Sequence, residues 1–195
     1  MSIPRALNDE LKSRYGEPHR HYHTWDHVAA LCRHVRDVHP GWTRLEPVRW
    51  ALFWHDAIYD PRRSDNEELS AQLLEKQGRG HISDKDLGFA AEIIRATAKH
   101  QVPDGLSAAD EHDLALFLDI DLAILGAPEA VFDRYEADVR AEYAFVPEEV
   151  FRAGRARVLK SFSERPSIYF TPEGKARWEA QARANVARSL KALGA

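Results

Sequence analysis

The chain has 195 residues, with 27 Lys and Arg against 31 Asp and Glu, and its formal net charge is -4. This balance gives no electrostatic reason to expect nucleic acid or an acidic membrane surface as a partner, and a small diffusible ligand fits better. No apolar run approaches the roughly 20 residues of a membrane-spanning helix. Cys32 is the one cysteine, so we expect no intramolecular disulfide. The sequence shows no basic-then-apolar leader pattern, so we expect a cytoplasmic protein.

The spacing of apolar residues predicts an all-α chain. Apolar residues recur three and four positions apart almost everywhere, and alternating strand patterns are missing. The first helix is expected to end at Gly16, because glycine takes the left-handed conformation of a helix end freely. A histidine-rich linker and a second helix follow, and Pro47 then opens a helix that runs through "ALFWHDAIYD" at 51–60. We predict a single-domain helical bundle over residues 1–195.

Serines and prolines mark the starts of the later helices. Ser83 and Ser107 are each followed three residues later by an aspartate, which is typical of a helix N-terminus. His100 is expected to close the first of these two helices, and Gly126 the second. Pro128 and Pro147 then open two amphipathic helices before the last one. The residues expected to face inward on these two helices include Val131, Tyr135 and Val139, then Val150, Gly154, Val158 and Phe162.

The helix that contains "ALFWHDAIYD" carries two polar residues inside an apolar run. Ala51, Leu52 and His55 fall on one helical face, which predicts that His55 points into the core. Asp56 is adjacent to it, and an uncompensated buried carboxylate costs on the order of several kcal/mol. Asp56 therefore requires an arginine, a set of hydrogen-bond donors or a metal ion. Taken by itself, a histidine on an apolar face is more often a satisfied core residue than a metal ligand.

Two further helices point polar groups toward the core. Positions two apart on a helix differ by about 200°, so Asp119 and Asp121 cannot share a face. Asp121 lines up with Leu118 and Leu125, so we predict that it points inward and that Asp119 faces outward or lies at the edge of the stripe. His27 is the third inward group, with a water-facing histidine at a helix start as its alternative. One divalent cation with mixed nitrogen and oxygen ligands would satisfy all these groups, and Mn, Fe, Co, Ni, Zn or Mg would suit.

The ordered set His27, then His55 and Asp56, then Asp121 resembles the H…HD…D signature of the HD-domain metal-dependent phosphohydrolases, an all-helical superfamily with a phosphodiesterase-like fold. The resemblance implies that these four residues are metal ligands and that the substrate is a nucleotide or another small phosphate ester. Segments that are similar to the bacterial branch of predicted HD phosphohydrolases cover nearly the whole chain: "RYGEPHRHYHTWDHV", "ALFWHDAIYDP", "DNEELSA", "LDIDLAILG" and "FRAGRARVL…RPSIYFT".

The resemblance also indicates which residues act in catalysis. In such a site the metal activates a bound water, which Asp56 can orient, and Asp60 or Glu67 can shuttle protons. The alternative roles are equally ordinary: Asp60 as a turn residue before Pro61, and Glu67 as an acid favoured at a helix start. Cationic and imidazole side chains are expected to hold the substrate phosphate, with an exposed charged face as the alternative for the last two: Arg20, His23, Arg62, His100, Arg152 and Arg155.

Three other functions stay open at the level of sequence. A dinuclear iron version of the fold performs oxygenation, and the resemblance implies that it needs two further histidines, for which His81, His100 and His112 are the candidates. A non-catalytic module could hold a nucleotide as a signal. A purely structural helical protein would need no metal at all. We favour one metal ion and a phosphohydrolase.

Overall fold

The computed structural model describes residues 3–38 and 41–195, and this part of the chain is all-α as predicted. Within it lie nine α-helices and one short 3₁₀ helix, with a single isolated bridge between Arg79 and Ile82. Across the described ranges no helix combines the length and the apolar character needed to cross a bilayer. The α-helices are α1 Arg5–Tyr15, α2 Trp25–Asp37, α3 Leu45–Trp54, α4 Asn66–Gly78, α5 Asp84–Thr97, α6 Ala108–Asp121, α7 Glu129–Glu142, α8 Glu148–Ser163 and α9 Pro172–Leu193, and the 3₁₀ helix is Leu122–Gly126.

The chain forms two compact units, residues 1–118 and residues 119–195. In the first unit α3 packs against α4 and α5, which also pack on each other, and α2 packs against α3. In the second unit α9 packs against the 3₁₀ helix and α8, and α7 also packs on the 3₁₀ helix. The prediction of one domain over residues 1–195 stays a prediction.

Helix α3 is the centre of the first unit. Val48, Ala51, Leu52 and Trp54 are each at most 2% exposed, so several sides of this helix are buried. A helix that is apolar all round is stable only inside a core. The segment that follows α3, with His55 and Asp56, is therefore held at a fixed place beside the core.

The predicted serine caps are confirmed, whereas Gly16, which follows α1 as predicted, has a φ of -98° and not the left-handed conformation. Asp86 donates its N–H to Ser83 Oγ at 3.1 Å, and Asp110 donates its N–H to Ser107 Oγ at 3.2 Å. Both serines therefore satisfy a backbone donor that has no partner inside the helix. His100 does not close α5, which ends at Thr97; instead it lies in the turn beyond, with a φ of 45°.

The inward faces of α7 and α8 agree with the prediction only in part, since Val139 and Phe162 are buried as predicted. Val131, Val150 and Val158 are 45–61% exposed, whereas Phe132 and Leu159 are fully buried. On α8 the observed buried face therefore shares Phe162 with the predicted stripe but takes Leu159 in place of Val158. The predicted helical period is correct, but periodicity alone does not say which of two neighbouring faces a partner helix covers.

Arg44 connects the start of α3 to two other helices of the first unit. Its guanidinium donates to the carboxylates of Asp86 on α5 and Asp110 on α6, and it lies over the Phe89 ring, 5.0 Å from the ring centroid. Asp113, fully buried on α6, accepts the backbone N–H groups of Thr43 at 2.8 Å and Arg44 at 2.6 Å. Carboxylates from α5 and α6 thus fix the entry into α3.

Replacing Arg44 with methionine is expected to lower the free energy of unfolding by about 2–3 kcal/mol, because two partly buried carboxylates lose their cation. Burial raises the pKa of Asp86 and Asp110, but the serine caps and Arg44 lower it, and the net pKa lies below the ordinary 3.8. These carboxylates therefore stabilise the fold above that pH, and their contribution is lost as the pH falls.

Urea unfolding at pH 7 and again below about pH 4 measures this effect. The Arg44→Met variant should lose less further stability on acidification than the wild type. Arg33→Met, at an exposed arginine, is the matched control. Equal destabilisation of both variants at pH 7 would contradict the assigned role of Arg44.

Candidate metal centre

Three side chains of the first unit converge just after α3. The Nε2 atoms of His27 and His55 are 3.0 Å apart, and Asp56 Oδ2 lies 3.0 Å from His55 Nε2 and 3.7 Å from His27 Nε2. His27 is 6% exposed and His55 1% exposed. The prediction that both histidines point inward is therefore confirmed.

The ring of His55 is oriented by the helix that precedes it. Its Nδ1 lies 2.9 Å from the Leu52 carbonyl oxygen, which can only accept, so Nδ1 carries the proton and donates. In the neutral ring Nε2 then has the lone pair and faces His27 and Asp56. This is the tautomer that a histidine needs to bind a metal through Nε2.

The sequence predicts that His55 and Asp56 lie within a helix that continues to residue 60. Instead, α3 ends at Trp54, and the two residues follow it. The backbone N–H of Asp56 donates to the Tyr15 hydroxyl at 3.3 Å, and that hydroxyl donates to the Phe53 carbonyl at 3.2 Å. Two residues later, Ile58 donates its N–H to Ser70 Oγ at 3.0 Å. Because side chains take these backbone groups, the helix stops at Trp54 and the chain turns.

Arg20 holds this turn from the other side. Its guanidinium donates to the Asp56 carbonyl at 2.7 Å, the Ala57 carbonyl at 3.2 Å and the His23 carbonyl at 3.1 Å, and its Nε donates to Glu17. The side chain is 0% exposed. Four of its five N–H groups are thus used inside the protein, which makes Arg20 a clamp on the turn and leaves little of it for a substrate phosphate.

Electrostatics favour an ionised Asp56. Burial raises the pKa of this carboxyl, but in the metal-free protein the charge and hydrogen bond of a protonated His55 and the charges of His23 and His27 lower it, and the net direction is downward. An ionised carboxylate is the form that binds a cation. The arrangement therefore presents two imidazole nitrogens and one negative oxygen toward the same point.

His23 belongs to the surroundings of this cluster. Its ring stacks on Tyr59 with centroids 4.2 Å apart, and it lies edge-on to His27 at 6.1 Å. The Arg20 guanidinium lies over the same Tyr59 ring at 5.3 Å, and His19 donates through Nε2 to the Tyr59 carbonyl at 2.7 Å. Tyr59, which the sequence did not single out, thus fixes the place of His23 beside the cluster.

The two aspartates of "LDIDL" have different environments. Asp121 is the last residue of α6 and is partly buried, and its predicted role as a ligand beside the two histidines stays a prediction. The prediction for Asp119 is wrong, because this residue is 0% exposed. Its oxygens accept from Phe170 N at 2.7 Å, Thr171 N at 2.8 Å and Thr171 Oγ1 at 2.6 Å. Asp119 therefore anchors the start of α9.

The predicted proton shuttles lie on the segment after the turn. Asp60 is in a loop and not one helical turn past Asp56; its Oδ1 accepts from Arg62 N at 2.9 Å, and its N–H donates to Asn66 Oδ1 at 3.1 Å. Asp60 is therefore a turn residue, which is the alternative to a proton shuttle given above. Glu67 is partly buried in the first turn of α4, and Arg62 is exposed. Catalytic and substrate-binding roles for these three residues stay predictions.

The other histidines considered for a second metal are not part of the candidate group in the described chain. His112 donates through Nε2 to the Gly41 carbonyl at 3.0 Å. His81 is exposed and stacks beside Trp50 at 6.4 Å. His100 lies in the turn after α5, and its predicted contact with phosphate stays a prediction.

Arg152 and Arg155 of α8 contact other groups of the second unit. Arg152 donates to the Ala192 carbonyl at 2.8 Å, near the end of α9. Arg155 is 9% exposed and pairs with Glu136, while its Nη2 also donates to the Tyr135 hydroxyl at 2.8 Å. The alternative of an exposed charged face is wrong for Arg155. Its predicted substrate contact is not supported by these partners.

No protein-family profile, curated protein or solved structure matches this chain. The resemblance to HD-domain phosphohydrolases therefore rests on the residues quoted from the sequence. It stays a prediction.

Proposed function

We propose that the chain is a metal-dependent phosphohydrolase of the HD type, with a divalent cation held by His27, His55, Asp56 and Asp121. The observation that carries the proposal is the convergence of two buried imidazole nitrogens and a carboxylate oxygen within 3.0–3.7 Å. A divalent cation can bind two imidazole nitrogens and a carboxylate oxygen that lie this close together.

The distances fit a cation. Two ligand atoms that are each about 2.1 Å from one metal, and that subtend about a right angle, lie about 3.0 Å apart. This is the separation of the two Nε2 atoms and of His55 Nε2 from Asp56 Oδ2. The mixed nitrogen and oxygen set suits Mn, Fe, Co, Ni or Zn, and Mg with fewer nitrogens.

When bound, such a cation supplies Lewis-acid activation of water and of a phosphoryl oxygen. The chain's own residues orient the ligands and bind the substrate. The Leu52 carbonyl keeps His55 in the ligating tautomer, and Arg20 holds the turn that presents Asp56. His23 is the proposed donor of a hydrogen bond to a phosphate oxygen, and its stacking on Tyr59 beside the cluster supports this role. Asp60 and Glu67 remain the proposed proton shuttles, and Arg62 and His100 the proposed outer phosphate contacts.

The proposed substrate is a nucleotide or another small phosphate ester. A net charge of -4 does not favour a polyanionic macromolecule, so we propose no nucleic acid and no membrane as partner. The expected cytoplasmic location stays a prediction.

A substrate screen tests the proposal. The protein is stripped with a chelator, reloaded with Mn, Fe, Co, Ni, Zn or Mg, and incubated with nucleoside mono-, di- and triphosphates and with bis(p-nitrophenyl) phosphate. Release of phosphate or nitrophenol is expected only in the metal-loaded protein. Asp56→Asn, which removes the negative ligand oxygen, should lower the rate at least about 100-fold.

His81→Ala is the matched control, since it removes an exposed histidine outside the cluster. Its rate should equal that of the wild type. Nucleotide recovered unchanged from the metal-loaded protein, with binding retained, would replace the proposal by a binding module. Oxygen consumption with two irons per chain would replace it by the oxygenase.

A further inference from the structure

A buried hydrogen-bonded cluster lies between α7 and α8 of the second unit. Arg155 donates through Nη2 to the Tyr135 hydroxyl at 2.8 Å, and its guanidinium carbon is 5.0 Å from the centroid of the Tyr135 ring. Its other partner is the Glu136 carboxylate, which also accepts the Ser189 hydroxyl of α9 at 2.8 Å. Three helices thus fix the position of the Tyr135 hydroxyl.

The direction of this hydrogen bond determines what Tyr135 can do. A guanidinium has only donors, so the Tyr135 oxygen accepts from Arg155 and the phenolic hydrogen must point to another acceptor. The guanidinium charge also polarises the phenol and makes it a stronger donor. Glu136 is the counter-ion of Arg155, so Tyr135 stays a neutral phenol that keeps its hydrogen.

The acceptor that the fold brings near Tyr135 is Asp121. Helix α7 packs on the 3₁₀ helix Leu122–Gly126, which starts at the residue after Asp121. Burial raises the pKa of Tyr135, the charge and hydrogen bond of Arg155 lower it, and the carboxylates of Glu136 and Asp121 raise it. Of the two carboxylates whose charge acts on Tyr135, Asp121 is the one that does not pair with Arg155.

We propose that Tyr135, held by Arg155, is a positioning residue for Asp121, with its hydroxyl donating to the carboxylate and fixing the oxygen that binds the cation. The inference rests on the proposed metal site. Groups that orient a metal ligand in this way typically contribute 10–100-fold to metal affinity. Arg155 acts through Tyr135 and does not itself touch the cation.

Metal affinity of the full chain tests the inference, by competition of Zn²⁺, Mn²⁺ or Co²⁺ between the protein and a chelator. Tyr135→Phe is expected to bind the metal about 10–100-fold more weakly. The visible absorption spectrum of its Co²⁺ complex should also change, because the Asp121 ligand is reoriented. Tyr143→Phe, the same substitution at the C-terminal end of α7, is the matched control and should change neither.

A double-mutant cycle separates positioning from general stability. Arg155→Lys replaces the planar fork by a single ammonium that cannot hold both Glu136 and Tyr135 in the same way. If Arg155 acts through Tyr135, the double variant binds metal no more weakly than Tyr135→Phe alone. Thermal unfolding of the metal-free variants identifies any loss of affinity that comes from a damaged fold.

The possible failures are distinct. Equal metal affinities of the wild type and Tyr135→Phe overturn the role of Tyr135 and leave the phosphohydrolase proposal intact. Strictly additive losses in the cycle overturn the path from Arg155 through Tyr135. If the metal-loaded wild type cleaves no phosphate ester, the proposed function fails, and the affinities of the variants still decide the role of Tyr135.

Discussion

About one divalent ion is expected to bind per chain, and the variants His55→Ala and Asp121→Ala are expected to lose it. Each variant removes one ligand of the proposed site, in which the Nε2 atoms of His27 and His55 are 3.0 Å apart. Loss of a group that merely orients a ligand already costs 10–100-fold in affinity, so loss of a ligand should cost at least about 100-fold. Elemental analysis after reconstitution and dialysis measures the effect.

The control for this measurement is again His81→Ala, which should keep the metal. Full occupancy in both ligand variants would contradict the assigned site. If the wild type binds no metal after exposure to Mn, Fe, Ni or Zn, the proposed metal site is wrong. Two irons per chain would favour the oxygenase.

Replacing Asp119 with alanine is expected to destabilise the protein by about 3–5 kcal/mol, while Asp121→Ala should destabilise the metal-free protein by only about 1–2 kcal/mol, since one proposed donor, the Tyr135 hydroxyl, loses its acceptor. Asp119 is fully buried and accepts from Phe170 N, Thr171 N and Thr171 Oγ1. Thr171 in turn caps α9 by accepting the N–H of Gly174 at 3.0 Å. Without the carboxylate, two backbone donors and a hydroxyl lose their partner and the cap of the longest helix is loosened.

Urea unfolding of both metal-free variants, followed by circular dichroism, measures the difference. The two substitutions are a matched pair, because they remove the same side chain two positions apart on one helix. A larger loss in Asp121→Ala than in Asp119→Ala would contradict the assignment of Asp119 as the structural carboxylate. Metal binding should respond in the opposite order.

The candidate ligands could be found from the sequence because they depend on local patterns. The apolar spacing around His55 predicts that its side chain faces the core, and its exposure of 1% confirms this. A buried carboxylate next to it then requires a partner. Tyr15, by contrast, reads only as the last apolar residue of α1, although a buried tyrosine usually binds a partner through its hydroxyl.

The helical class, the serine caps of α5 and α6 and the inward direction of His27 and His55 could be predicted from the sequence, since each follows from interactions within a few residues. The end of α3 at Trp54, the burial of Asp119 and the inward direction of Arg155 depend instead on tertiary packing. Tyr15 and Arg20 bind the backbone of Asp56 from 36 or more positions away in the chain, and Thr171 binds Asp119 from 52 positions away. Helical periodicity records which residues share a face, but not which distant segment covers that face, so these outcomes depend on long-range packing.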